Sequence, residues 1–524
     1  MEARWALAWL LVVSALLRLW LAWALGAGND EAYYALFVRH PAWSYFDQPP
    51  LLAVVGGLSR WISGGSESIL ALRLGFVALF SGSTWLMARL ASRCLGPSAA
   101  FPAALALNLS WYHGAAVGTF VLPDGPLLFF WLLTLERLAS AVQRPERWAV
   151  WIGVGLAWGG ALLSKYHAVF LPLGFLIFVA VEPTARRLLR QPGPYLALIV
   201  GLVGFSPVIA WNAEQGWASF AFQGGRALGA LGVRPDELAE AIVGPLLYLS
   251  PWLWLALVVV LIRATVRFWN QGAEVPPLER LLLCQSWPPL VLFWALSALR
   301  PGLPHWGLIG FVSVMPVLGR AWADQLVRRP RATRRRLAVW SALAVSLAVL
   351  AVGQSKFGVI PKEGRGALGW LDPAQDPTRD LFGWDQIALE LDRRGLLDRP
   401  DTFVFSGHWY VSGQLALAVG DRAPVLCYNE GDARGFAYWS RPEDWIGRDG
   451  ILIAIDDRSA EPDCFERWFD RIEPLGQFEI VRAGATIRPV RLFRCVGQRR
   501  AFPFALIETR KDALRLADRR PESP

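Results

Sequence analysis

The stretch N-D-E-A-Y-Y-A-L-F-V-R-H-P-A-W-S-Y-F-D-Q-P-P, residues 29–50, follows directly on an apolar segment at 5–25. That segment is long enough to span a bilayer, which takes about 20 residues. The stretch therefore sets Asp30, Glu31 and Asp47 at the mouth of a membrane helix, interleaved with Tyr33, Tyr34, Trp43, Tyr45 and Phe46. Carboxylates in that position are costly unless they are solvated, paired or used. An interfacial loop with an aromatic belt is the plain alternative, and the remainder of the chain decides between the two.

Working outward, apolar segments recur near 69–90, 98–119, 124–142, 148–164, 166–181, 194–212, 243–262, 281–299, 306–324 and 337–353. With the first, this predicts an α-helical polytopic membrane protein of about 11 transmembrane helices. The apolar run 148–181 is broken at Lys165-Tyr166-His167, and one helix of that length would overshoot the bilayer, so two short spans are expected. Pro123, Asp124, Gly125 and Pro126 mark a turn. An uncleaved first helix is preferred to a signal peptide, because the apolar run is long and Arg18 interrupts it. Beyond 353 the pattern changes to short β-type runs at 402–405, 424–428, 450–455, 478–481 and 490–496. Helical stretches are expected at Trp384–Arg394 and Cys464–Arg471. The expected division is a membrane domain over 1–353 with a first outer loop at 26–68, a soluble α/β domain over 354–505, and a charged tail over 506–524.

The 524 residues are 54% hydrophobic and 18% charged, with 28 Trp and a net charge of +9. The basic residues lie mostly between apolar segments, so the charge does not read as a nucleic-acid surface. Nor is there a Walker A loop, a G-x-G-x-x-G fingerprint or a zinc-type cysteine pair. Cys427, Cys464 and Cys495 share the C-terminal domain, where one pair at most is expected to bridge. The arginines are concentrated in alternate loops: 89/93, 144/147, 186/187/190, 263/267, and the run Arg328, Arg329, Arg331, Arg334, Arg335 and Arg336. By the positive-inside rule these loops are cytoplasmic. Residues 26–68, Asp124, 165–167, a loop at 213–242, Pro304-His305-Trp306 and the C-terminal domain then share the outer face.

Carboxylates on that face can supply a general base, and Lys165, His167, Arg73 and Arg226 can neutralise a phosphate. An acid, cations and a position at lipid level together point to transfer from a lipid-phosphate-linked donor. A nucleotide-sugar donor is disfavoured outside the cytoplasm. Two other classes stay open at this point: a transporter or flippase for a lipid-linked substrate, and a membrane-anchored binding protein working through its C-terminal domain.

The ordered motifs N-D-E-A-Y-Y (29–34), Y-F-D-Q-P-P-L (45–51), L-P-D-G-P-L (122–127), L-S-K-Y-H (163–167), S-P-V-I-A-W-N-A-E-Q-G-W-A-S-F (206–220), F-Q-G-G-R (222–226) and L-P-H-W (303–306) resemble the GT-C superfamily of integral membrane glycosyltransferases. More narrowly, they resemble bacterial relatives of the dolichyl-phosphate-mannose protein mannosyltransferases, such as aminoarabinose and galacturonic acid transferases of lipid A and core. The resemblance covers about the first 320 residues. It implies an inverting hexosyl- or pentosyltransferase of the bacterial inner membrane, with a polyprenyl-phosphate sugar as donor and lipid A, core or another envelope glycan as acceptor. Asp30 would be the catalytic base, supported by Glu31, with Asp47 as a second acid. Asp124, Lys165, His167, Arg226, Gln48 and Tyr34 would bind the donor phosphate or substrate. Gln48 departs from the His or Lys often found there. Asp47 and His305 are the candidate ligands of a divalent metal; no other cofactor is implied.

Overall fold

In the computed structural model, which describes residues 2–228, 232–359, 376–455 and 461–504, the chain divides into two compact units. The first comprises 1–23, 48–210 and 224–348; the second comprises 24–47, 211–223 and 349–524. By its contacts, then, the first half of the first loop, 24–47, belongs with the C-terminal part of the chain.

The helical unit is built from α1 (Glu2–Ala24), α3 (Leu51–Ile62), α4 (Ile69–Leu95), α5 (Ala100–Leu109), α6 (Asp124–Gln143), α7 (Trp148–Ser164), α8 (Phe170–Val181), α9 (Gly193–Glu214), α13 (Pro251–Gln271), α14 (Pro277–Ser297), α15 (Leu308–Arg328) and α16 (Pro330–Phe357). Among the described residues, six helices are long and apolar enough to cross a membrane, or up to seven if the bent pair 166–181 and 183–190 counts as one span. Every expected apolar segment is helical over most of its length. The count of 11 is nevertheless not reproduced, because several helices are too short and others carry too many polar residues. The expected span at 98–119 shows why: α5 stops at Leu109 before Ser110, and residues 112–117 form a π-turn. The break in 148–181 falls at Lys165, as the sequence predicts. Lipid-facing surfaces are explicit on α1, where Trp5, Trp9 and Leu16 are exposed while Arg18 is buried. The Arg18 guanidinium turns inward onto Ser14 Oγ (2.8 Å) and the ring of Phe80.

Two loops of the sequence reading are more ordered than expected. The 26–68 loop contains α2 (Asn29–Ala35) and α3. The 213–242 loop carries α10 (Ala218–Leu228) and α11 (Pro235–Val243). These helices are short, and two of them, α3 and α10, contain adjacent glycines, so their local propensity is weak and packing decides.

The second unit holds a five-stranded sheet of order β2-β1-β3-β5-β4, with β1 (Thr402–Ser406), β2 (Val425–Cys427), β3 (Asp449–Ile455), β4 (Phe469–Arg482) and β5 (Ala485–Gln498). The first three are parallel, and β3, β5 and β4 pair antiparallel. Side chains alternate faces along β1. Val404 packs with Ile387 and Leu391 of α17 (Trp384–Arg393) and with Val411 and Leu415 of α18 (Trp409–Val419). Phe403 and Phe405 join Tyr428 and Phe469 in an aromatic layer. Phe469 decides the fate of Cys464–Arg471. That segment is not the expected helix but a short 3-10 turn at 462–465 leading into β4. Burial of Phe469 against Phe405, together with pairing to β5, overrides the local helical pattern. All five cysteines, including Cys427, Cys464 and Cys495, are free thiols. The expected tail at 506–524 lies outside the described residues.

Candidate active site

The candidate residues fall into two sets, one in each unit. In the unit containing the first loop, α2 presents Asp30 to solvent and buries Glu31. The Glu31 carboxylate accepts the Gly28 N–H at 3.3 Å and so caps the helix it belongs to. Asp47 is buried, with 2% exposure, which is a costly place for a carboxylate unless donors surround it. The Tyr33 hydroxyl donates to its Oδ1 at 3.1 Å, and the Arg434 guanidinium donates to its Oδ2 at 3.4 Å. Burial pushes the Asp47 carboxyl above its usual range, whereas the Arg434 charge and the Tyr33 hydrogen bond pull it down. Burial and the neighbouring Asp47 charge hold the Tyr33 phenol well above its usual value, so it stays a neutral donor.

Arg434 has no counterpart among the residues singled out from sequence. It sits at φ +48°, in the left-handed region that non-glycine residues rarely occupy. Its guanidinium lies over the Trp409 ring, 3.5 Å from the centroid. The next residue, Gly435, donates its N–H to the Tyr33 hydroxyl at 2.9 Å. Tyr33 is thus the hub: it donates to Asp47, accepts from Gly435, and packs on Trp409 and Trp439 with centroids 5.2 and 5.6 Å away. Backbone strain at such a position is maintained only where its surroundings over-determine it. The only sequence signal was the aromatic density of A-R-G-F-A-Y-W at 433–439.

The rest of the loop is tied down just as firmly. Gln414 donates to the Ala27 carbonyl at 2.9 Å, and Asn29 donates to Asp380 at 2.9 Å. Ser219 donates to the Tyr45 carbonyl and Gln223 to the Asp47 carbonyl, each at 2.9 Å. The S-F-A-F-Q segment of α10 therefore clasps the loop. Asn212 holds its start by accepting the Ser219 N–H at 3.0 Å. Gly413 is needed where α18 meets α2, because a Cβ there would lie 3.0 Å from the Tyr33 backbone. Tyr34 is buried and rests on Tyr33 and Phe37.

In the helical unit, Lys165 is the extended residue between α7 and the 3-10 turn at 166–169. Its ammonium reaches Asp124, at the first turn of α6, with 3.0 and 2.9 Å to the two oxygens. The L-P-D-G-P-L and L-S-K-Y-H motifs thus meet in one ion pair. His167 stacks on Phe293 with centroids 5.0 Å apart, and His305 lies 5.5 Å from each of Tyr112 and Tyr248. Gln48 is buried in the helical unit. Arg226 belongs to α10; its side chain lies outside the described residues. Arg73 is a structural residue, fully buried and donating to the Ala22 carbonyl at 2.7 Å.

The metal expectation does not fit this donor set. Both Asp47 oxygens are taken by hydrogen-bond donors, and one donor is a cation that opposes a metal ion. Among the described residues, no group of three His, Cys, Asp or Glu side chains is placed to hold a metal.

Residues 47–211 match the family model described as dolichyl-phosphate-mannose-protein mannosyltransferase. No curated protein matches the chain by sequence. Among solved structures, ArnT from Cupriavidus metallidurans bound to undecaprenyl phosphate is similar over 93% of this chain and 97% of its own, at 16% identity and a TM-score of 0.60. Its apo form is similar over the same shares, at 15% identity and a TM-score of 0.57. A weaker likeness, with a TM-score of 0.48 at 14% identity, links 84% of this chain to 67% of the Archaeoglobus fulgidus oligosaccharyltransferase.

Proposed function

We propose that this chain, a multi-pass membrane protein with the GT-C glycosyltransferase fold, moves a hexose or pentose from a polyprenyl-phosphate donor to a lipid A, core or other envelope glycan. The observation that carries this reading is the pair of unlike carboxylates in one anchored loop: Asp30 exposed, Asp47 buried and held by Tyr33 and Arg434. Environments that set two acids apart are how one loop divides roles between them.

Asp30 takes the proton of the acceptor hydroxyl as its oxygen attacks the anomeric carbon. The bond from that carbon to the phosphate oxygen breaks in the same step, so configuration inverts. The donor is a phosphodiester and the leaving group a monoester, so one negative charge develops on the phosphate. Lys165, already partly neutralised by Asp124, retains ammonium N–H capacity for that charge, and Arg226 adds a second cation. Asp47, anchored in place, fixes the loop that carries Asp30, and Glu31 does so by capping α2. Gln48, Tyr34 and His167 are assigned to substrate binding in this proposal by the motifs in which they stand. No step requires a metal.

The basic loops support an inner-membrane orientation with the first loop and the C-terminal domain in the periplasm. The test uses the purified chain in lipid with a polyprenyl-phosphate sugar fraction and an envelope-lipid acceptor fraction, read by mass spectrometry. A hexose, pentose or uronic-acid increment that falls by about 10²–10⁴ in Asp30→Asn is expected of a lost general base. Near-normal turnover in that variant would remove Asp30 from the role. No increment with any donor, from folded protein, would remove the reading.

A further inference from the structure

The helical unit contains a cavity of about 640 Å³ that the transfer reaction does not use. It lies where five helix ends converge. Cys94 and Leu95 close α4, Arg263 and Arg267 lie near the end of α13, Glu279 opens α14, Arg320 and Asp324 lie near the end of α15, and Arg336 and Trp340 lie in the early turns of α16. This is the basic end of the unit. Glu136 is fully buried among Arg89, Arg93 and Arg137 at α4 and α6, and Arg280 pairs with Glu182 at 2.5 Å. By the positive-inside rule it faces the cytoplasmic leaflet, which carries the anionic lipids.

The lining is amphipathic. Four arginines stand against two carboxylates, leaving a net positive charge, and Val259, Val260, Val317 and Leu318 supply an apolar wall. The carboxylates are already used: Glu279 pairs with Arg267, and Asp324 with Arg320 at 3.2 Å. Arg320 is further fixed by the Leu95 carbonyl at 2.7 Å. Arg336 donates to Gln325 at 2.5 Å and lies over the Trp340 ring, yet its Nε–H is buried without an acceptor. Arg263 makes no hydrogen bond or ion pair among the described residues. Two guanidinium groups with unspent donors, in the lining of an amphipathic cavity of ligand size, make a site for an anion with a hydrocarbon tail.

We propose that this cavity binds the phosphate headgroup of an anionic phospholipid of the inner leaflet. The phosphate accepts from Arg263 and Arg336, and the first acyl carbons lie along Val259, Val260 and Val317. The site is separate from the transfer chemistry and does not depend on it.

Native mass spectrometry of the full-length protein, released from micelles supplemented with phosphatidylglycerol or with phosphatidylcholine, tests this, with inorganic phosphate alone as a third arm. Expected is one retained phosphatidylglycerol that survives activation better than phosphatidylcholine. Its affinity should fall by roughly tenfold or more in Arg263→Gln/Arg336→Gln, and be largely kept in Arg263→Lys/Arg336→Lys. The lysine variant keeps the charge, so it separates loss of the site from failure to fold, and thermal melting of both variants checks this further. Equal retention of the two lipids, or a glutamine variant that binds as the parent does, overturns the proposal. Retention of inorganic phosphate as strong as that of the lipid overturns the lipid assignment and leaves a phosphate site.

Discussion

Two carboxylates in this molecule, Asp47 and Asp124, are both held by a cation, and they are held differently. Asp124 receives two close contacts from a single flexible ammonium that reaches across from the next helix junction. Asp47 receives one contact from a neutral phenol and one longer contact from a guanidinium. That guanidinium is itself stacked on an indole and mounted on a strained backbone. A point charge on a flexible stem can be lent to an arriving phosphate at little structural cost. A stacked planar cation at a fixed backbone cannot be lent and serves to hold a geometry. The comparison assigns exchange to the helical unit and rigidity to the loop.

The sharpest way to break this contrast is Lys165→Met. It strands the Asp124 carboxylate, and removing one partner of a buried pair costs about 3 kcal/mol or more. Melting in detergent should fall clearly, and transfer should be lost with it. If Asp124→Asn/Lys165→Met recovers the melting temperature but not the activity, the lysine has its own role in the reaction.

Arg434→Gln should be next in size and different in kind. The Arg434 charge lowers the Asp47 carboxyl, so its removal leaves burial to raise that carboxyl further. If activity needs Asp47 ionised, the acid limb of the pH–rate profile moves to higher pH. Because the folded value then lies further above the unfolded one, the variant also loses stability as pH rises through it. Arg434→Lys should recover part of the shift. A profile that loses height without moving along the pH axis would mean that Arg434 acts through packing alone.

Gly413→Ala should cost about 1–3 kcal/mol by pressing α18 away from the Tyr33 backbone, and it should lower transfer without moving the pH profile. The smallest effect expected is that of Glu31→Gln. It weakens one capping contact to Gly28, worth about 0.5–1 kcal/mol, and leaves turnover within a few-fold of the parent. A loss as large as that of Asp30→Asn would make Glu31 part of the chemistry.

The helical unit was legible because long apolar runs announce themselves. α4, α6, α7 and α9 lie within a few residues of where hydropathy puts them. The short helices α3 and α10 were not, since they owe their form to packing that no local pattern records. The same limit applies to the site. Asp30, Asp47, Asp124 and Lys165 stand in recognisable motifs, and Asp124 and Lys165 are both expected on one face, though their ion pair emerges only in the structure. Arg434 could not be found this way. Nothing in R-G-F announces an arginine that stacks on Trp409 and reaches Asp47; only the folded backbone brings these three together.

The hydrogen bonds from Gln414 to Ala27 and from Arg434 to Asp47 each join residues 387 positions apart. The segment 24–47 therefore cannot take its working form before residue 434 has been made. Helices made early can enter the bilayer as they emerge, while Asp47 waits beside them for Arg434. A chain released short of residue 434 would be an inserted membrane protein with an unassembled loop, and whatever that loop does is withheld until Arg434 has been made.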